Sequence, residues 1–346
     1  MAMNNHFDSA PPSGKTGSMK GFDEEFTDIV DYILRITYRI WEGKQVGLCR
    51  RYYSEACPVY TLAGYTEGAE SVTQNTARTL SGFPDRTLHA DNIVWGGDDQ
   101  KGFHTSHLIC TNMTNLGPSE FGEASGKHAQ IQVIAHCVVA ENRIVEEWLV
   151  RDNYSLCVQL GFDPLSFAKI QAQKPLDEQP VFRDWLRDEF ERVQQRPTVE
   201  DWNGDYSTLG KGLAGKLNAV WNERLLGDCH QLYAEQARVH ASARPDYDGV
   251  ESIQRFYLEL LGALPNARLS IDYVCENSMQ AGDHVAVRWT LAGHHTGNAL
   301  WGEPSGAAAL ILGESQYRLE NGKVVEEWLV FDELAVLTQI ERARQA

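Results

Sequence analysis

The chain has 346 residues, about twice the usual domain of roughly 100–200 residues, and carries 31 Lys and Arg against 48 Asp and Glu, a formal net charge of −17. That balance argues against a nucleic-acid binder, whose affinity for phosphate comes mainly from clustered Lys and Arg, and equally against a protein that coats an anionic membrane surface. With 42% hydrophobic and 23% charged residues, the composition is globular, neither disordered nor fibrous.

Residues 1–21 read as a flexible tail. Met1 to Lys20 is polar, contains Pro11 and Pro12, and lacks the apolar core of a secretory signal. No apolar run approaches the roughly 18 residues of a membrane span. Residues 24–42 follow a helical pattern and 69–81 a second amphipathic one. After the Phe83-Pro84 turn the pattern changes towards strands, which run on through 128–139, turn at Glu141-Asn142 and return over 143–151. In the joining segment 163–205, Pro175, Pro180 and Pro197 bound a helical stretch. Phe182, Trp185, Leu186, Phe190 and Val193 recur there at three- and four-residue steps, the mark of a helix that packs against its neighbours.

The same order then repeats: helical patterns over 208–225 and 250–263, a turn at Leu264-Pro265, and alternating residues from Leu269 onward. Strands follow over 308–319 and 323–331, joined at Asn321-Gly322. The repeat is literal in places. Residues 142–152 (NRIVEEWLVRD) and 322–332 (GKVVEEWLVFD) share seven of eleven positions, and Trp328 minus Trp148 gives an offset of 180. That offset also links Trp41 with Trp221, Cys49 with Cys229 and Gly122-Glu123-Ala124-Ser125-Gly126 with Gly302-Glu303-Pro304-Ser305-Gly306. The chain reads as a tandem duplication, with unit one over 22–162, a linker over 163–205 and unit two over 206–342. Helices followed by an antiparallel sheet make each unit α+β.

The seven cysteines are an odd, scattered set without C-x-x-C pairs. With the missing signal, this gives the expectation of reduced thiols in a cytoplasmic protein. No H-E-x-x-H or comparable ligand set occurs, so no metal is expected. Residues 204–212 and 122–128 are near-misses for a phosphate loop and give no nucleotide site.

Three features of unit two occur in a telling order: Gly293-His294-His295-Thr296-Gly297, then Gly302-Glu303-Pro304-Ser305-Gly306, then Tyr317 to Trp328, closed by Asp332 and Gln339. In this the chain resembles the SnoaL-like polyketide cyclases, a branch of the nuclear-transport-factor-2-like superfamily. The likeness is looser in unit one, where Phe83-Pro84-Asp85, Glu146-Glu147-Trp148 and Asp152 carry it. The resemblance implies two tandem cone-shaped α+β barrels, each a curved antiparallel sheet wrapped around helices with a ligand cavity inside. It also implies acid/base chemistry without metal or organic cofactor. Pairing through the sheets would make the chain its own pseudo-dimer, with a homodimer as a further option.

The family's acidic position falls on Leu149 and Leu329, and neither can carry a proton. Glu147 and Glu327, two residues earlier, share that strand face. Asp152 and Asp332 end the strands, where an Asp also suits a helix N-cap. His295 matches the family's recurrent histidine, and Asn115 stands there in unit one. The candidate catalytic set is therefore Glu327, Asp332 and His295. Trp289, Trp301, Ser315, Tyr317 and Phe331 are expected to frame the second pocket, with Glu147, Asp152 and Asn115 in the first. Val133 and Ala135, at positions where unit two has Gly313 and Ser315, make the first pocket read as the more apolar of the two. The expected function is cyclisation, isomerisation or dehydration of a small, largely apolar carbonyl compound. The alternative is a non-catalytic protein that binds a small hydrophobic molecule or scaffolds an assembly.

Overall fold

The computed structural model describes residues 19–196 and 201–345. The tail expected over 1–21 lies outside the described residues up to residue 18, as do linker residues 197–200. In unit one, helices α1 (Ile29–Trp41) and α2 (Cys49–Tyr52) precede the short strands β1 (Pro58–Thr61) and β2 (Gly64–Glu67) and helix α3 (Gly68–Gly82). The long strands β3 (Thr87–Asp98), β4 (Gly102–Thr114), β5 (His128–Ala140) and β6 (Arg143–Arg151) follow, and α4 (Asn153–Gln159) closes the unit. The linker supplies α5 (Pro164–Ala172) and α6 (Pro180–Gln195). Unit two begins with β7 (Gly204–Asp205), α7 (Thr208–Asn222), α8 (Cys229–Leu232), β8 (Tyr233–Ala241), β9 (Tyr247–Asp248) and α9 (Val250–Ala263). It ends with β10 (Arg268–Met279), β11 (Gly282–His294), β12 (Ala308–Glu320), β13 (Lys323–Phe331) and α10 (Glu333–Gln345).

Local chemistry sets these elements. The Asp28 carboxylate accepts the Asp31 amide at 2.8 Å and starts α1. The buried residues of α1, Ile29, Tyr32, Ile33, Ile36 and Ile40, recur at helical spacing and make one apolar stripe. At the hairpin tips Glu141, Asn142, Asn321 and Gly322 all take positive φ, as two-residue turns of the tight hairpin type require.

The first sheet runs β2-β1-β6-β5-β4-β3 and the second β7-β10-β11-β12-β13-β8-β9. The α+β order expected from the sequence is present in both. The short strands were not apparent in the pattern; β1 and β8 lie parallel to β6 and β13. Register shifts fall at matching places, Ala90/Asn92 with Ile271/Tyr273 and Val138/Val139 with Arg318/Leu319. Such bulges bend strands and raise their twist, so each sheet curls around its own helices.

The other face of each sheet meets its counterpart. Leu108, Ile134 and Val150 of unit one pack with Ala292, Leu310, Leu312 and Val330 of unit two in one cluster. Polar pairs extend the contact: Asn92 Nδ2 donates to Gln316 Oε1 at 2.8 Å, and Gln316 Nε2 donates to Ser106 O at 2.9 Å. Asn277 pairs with the Trp95 backbone at 2.7 and 3.1 Å. The Arg288 guanidinium lies 3.6 Å from the Trp148 ring centroid. Helix α6 spans both units, with Trp185 stacked on Tyr60 at 5.4 Å and Phe190 edge-on to His294 at 5.1 Å.

Leu108 is fully buried in this contact. Leu108→Ala should lower the unfolding free energy by about 2–4 kcal/mol, read by urea denaturation. The transition followed by tryptophan fluorescence should still coincide with that followed by circular dichroism, since both units lose the same contact.

Candidate functional site

Strand β13 alternates between two environments. Trp328 and Val330 belong to the cluster between the sheets, whereas Leu329 and Phe331 belong to the core of unit two. Glu327, two residues before Leu329, therefore enters that core, and it is 1% exposed. Its neighbours across the ladder are Tyr317 on β12 and Val239 on β8. The Tyr233 hydroxyl donates to Glu327 Oε2 at 2.6 Å and lies 2.8 Å from the Tyr257 hydroxyl. Ser315 and Tyr317 flank the carboxyl, yet Oε1 has no partner in hydrogen-bond geometry. Burial dominates the protonation state. It raises the carboxyl from an ordinary 4.5 to about 7, against the hydrogen bonds that favour the charged form.

Four of the five other residues expected to frame this pocket are close by, and Trp301 is not. Trp289 donates its indole N–H to Ser315 Oγ at 3.2 Å, and its ring centroid is 6.5 Å from that of Phe331. Gly313 makes this possible, because a Cβ there would lie 2.2 Å from the indole. Glu327, Ser315, Tyr317, Trp289 and Phe331 thus share one interior. Tyr233 and Tyr257 were missed; the recurrence of Tyr53 as Tyr233 at the offset of 180 was the available signal.

His295 does not join them. It is fully buried, with Nδ1 3.0 Å from Ser305 Oγ and Nε2 3.1 Å from Leu300 O. Its backbone N–H meets Ala307 O, ten residues before Tyr317 along β12, a path of roughly 33 Å at ~3.3 Å per residue. The expectation that His295 belongs to one catalytic set with Glu327 is corrected accordingly: His295 braces the 297–306 loop. Asn115 does the same in unit one, accepting the Ser125 amide at 2.8 Å and donating to Gly117 O at 2.7 Å. Trp301 sits in the braced loop of unit two and donates to Glu333 Oε1 at 2.8 Å.

The two strand-end aspartates have matched double duties. Asp152 Oδ1 caps α4 through the Ser155 amide at 3.0 Å, and Oδ2 accepts the Ala243 amide of unit two at 3.0 Å. Asp332 Oδ1 caps α10 through the Ala335 amide at 3.1 Å, and Oδ2 accepts from Asn153 of unit one at 2.5 Å. Burial raises the Asp332 carboxyl to about 7. It lines a cleft of about 100 Å³ between the units, with Phe121, Phe182 and Arg342 among the other walls.

In unit one, Glu147 is the counterpart of Glu327 and is also buried, its pKa raised by desolvation beside Tyr53. The remainder of that interior departs from the apolar reading of the sequence: Arg86 and His107 are 5% and 3% exposed there. Among the described residues, no group of three or more His, Cys, Asp and Glu is placed to hold a metal ion. No described helix is long and apolar enough to cross a membrane.

Glu327 and Asp332 both favour the protonated form in the folded chain, so their contribution to stability is fullest below the ordinary carboxylate range. It is lost as pH rises through about 7. Glu327→Gln should remove about 2–3 kcal/mol of the stability difference between pH 5 and pH 8, measured by urea unfolding at the two pH values.

A family model described as SnoaL-like polyketide cyclase matches the chain twice, over residues 31–160 and 211–340. Among solved structures, a protein of Jannaschia sp. CCS1 assigned to the SnoaL-like polyketide cyclases is 21% identical with a TM-score of 0.35, covering 40% of this chain and 96% of its own. IdmH of Streptomyces antibioticus is 20% identical with a TM-score of 0.33, covering 38% and 97%. TsrD of Streptomyces laurentii is 18% identical with a TM-score of 0.34, covering 39% and 96%. No functionally curated protein matches the chain.

Proposed function

The chain belongs to the SnoaL-like polyketide cyclase family and carries its domain twice, and from that premise we propose that unit two is a cofactor-independent acid/base enzyme. Its substrate is a small, largely apolar carbonyl compound, and Glu327 is the group that takes and returns the proton. The observation that carries this reading is the Glu327 carboxyl itself: 1% exposed, its Oε2 held by the Tyr233 phenol and its Oε1 buried without a partner in hydrogen-bond geometry. A buried polar atom without a partner costs about 1–3 kcal/mol, and a donor on a bound molecule offsets that cost.

A carboxyl raised to about 7 exchanges protons in both directions near neutral pH. Tyr233 fixes Oε2, which leaves Oε1 to abstract a proton from the carbon next to a carbonyl and to deliver it elsewhere on the same molecule. Tyr317 and Ser315 stand beside the carboxyl as donors for the oxygen on which negative charge develops. Trp289, Leu329 and Phe331 supply apolar walls. Asp332 and His295 are positioning residues in this reading. The first ends the strand that carries Glu327, and the second braces the loop at the far end of the sheet.

A second reading is a non-catalytic carrier of a hydrophobic molecule. Leu149 and Leu329, where the family resemblance expects the acid, favour it. One experiment separates the two: α-proton exchange of 2-tetralone in D2O, followed by proton NMR. The enzyme reading expects exchange above the buffer rate, rising with pH through about 7, and falling by about 10²–10⁴ in Glu327→Gln. Equal exchange by the variant and the parent chain would remove Glu327 from the chemistry. Binding of the ketone without exchange would establish the carrier.

A further inference from the structure

Strand β4 also alternates. Ser106 accepts Gln316 from unit two, and Leu108 lies in the cluster between the sheets. Phe103 and Ile109 belong to unit one's own core. Thr105, His107 and Thr111 share that inner face, at positions where unit two has Val285, Val287 and Leu291. On β6 the inner face carries Glu147, Leu149 and Arg151, where unit two has Glu327, Leu329 and Phe331. The register sets these in rows: Thr105, Cys137, Glu147; then His107, Ala135, Leu149; then Ile109, Val133, Arg151. The interior of unit one therefore grades from a carboxyl at one end to a guanidinium at the other, with an imidazole between.

A second guanidinium lies at the cationic end. Arg86 is 5% exposed, donates from Nε to Thr111 Oγ1 at 3.0 Å and lies 4.9 Å from the Trp41 ring centroid. Neither Arg86 nor Arg151 makes an ion pair among the described residues. Burial and the charge of Arg151 depress the Arg86 pKa to about 9, which still leaves it cationic at neutral pH. Arg151 Nε and His107 Nε2 are buried without hydrogen-bond partners. One enclosed and one half-buried guanidinium, with a buried N–H unpartnered beside an unpartnered imidazole nitrogen, are expensive unless an anion completes them. The adjoining walls, Ile109, Ile131 and Val133, are apolar.

We propose that the interior of unit one is a receptor for a small organic carboxylate with an apolar body, its carboxylate held by Arg86 and Arg151 and its body lying past His107 towards Glu147. Guanidinium groups match a carboxylate in charge and fork geometry. The uncharged counterparts in unit two, Ala267 and Phe331, have no such capacity, so the two cones differ in what they admit. The inference does not depend on the reading of Glu327, which lies in the other cone.

The test is isothermal titration of the full chain with hexanoate and benzoate, and with hexanamide and benzamide as uncharged analogues. At least one carboxylate should bind in preference to its amide. Arg151→Met and Arg86→Gln should each weaken that binding roughly 10- to 100-fold, while Arg78→Gln, an exposed arginine on α3, should leave it unchanged. Without ligand, Arg151→Met should raise the thermal midpoint, because it relieves the buried Arg86 of a neighbouring like charge; a residue with only a structural role would lower it. Equal binding of acid and amide, binding of neither, or binding indifferent to Arg86 and Arg151 would overturn the proposal.

Discussion

Each curved sheet has two faces, and its own helices cover only one of them. The second face of each sheet is covered by the other unit, and the rest of the structure depends on this mutual covering. The contact is apolar at Leu108, Ile134, Leu310 and Val330 and polar around them, and the polar part follows the duplication. His104 of unit one stacks on Tyr273 of unit two at 3.9 Å, and the corresponding His284 of unit two meets Asn92 of unit one at 3.1 Å. His136 Nδ1 stands 3.1 Å from Glu314 Oε1, both almost fully buried, while its counterpart Gln316 bonds to Ser106. A network of this kind is favourable only when nearly every member is satisfied. It therefore selects one relative placement of the two sheets over the many that apolar contact alone would tolerate.

Much of the architecture was legible because duplication writes the pattern twice. The EEWLV segments, the paired turns and the helical stripe of α1 fix the element order, and the Glu327 face follows from the two-residue period of β13. The site was only partly legible. Periodicity says that His295 lies at the end of β11, but it does not say that Glu327 pairs with Tyr317, ten residues along the neighbouring strand from the partner of His295; that depends on register. Tyr233 comes from a different part of the chain and reaches Glu327 through the parallel pairing of β8 with β13, a long-range contact with no local signature. The polar interior of unit one was misread for a related reason. Val133 and Ala135 on β5 are apolar, whereas Arg86 enters from the turn before β3 and Arg151 from the end of β6.

The two interiors show what the duplication has kept and what it has released. A tyrosine and a glutamate recur as Tyr53 with Glu147 and Tyr233 with Glu327. Both carboxyls are buried and shifted towards the protonated form. Around that pair the copies diverge. Unit two has a tryptophan seated over a glycine and a phenylalanine beside it, where unit one has Ile109, Val133 and Arg151. Large apolar groups at these positions raise the cost of ionising Glu327, and cationic ones lower it for Glu147, whose pKa the Arg151 charge pulls down. One inherited carboxyl thus sits in two electrostatic settings, the arrangement by which a fold separates the roles of like residues.

Asp152 and Asp332 tie these interiors to the interface. Each ends the strand that carries the buried glutamate, caps the next helix with one oxygen and reaches the other unit with the second. The β6 and β13 strands are therefore fixed at their ends by groups from both copies. Separating the units would leave Ala243 N–H and Asn153 without these acceptors and would free the ends of both strands. The position of Glu327 relative to Tyr233 is consequently a property of the tandem chain and not of unit two alone. A glutamate held at 2.6 Å from a phenol tolerates little displacement, because hydrogen bonds weaken steeply once distance and angle leave their narrow range. The mutual covering of the sheets and the chemistry inside the cones are in this sense one constraint.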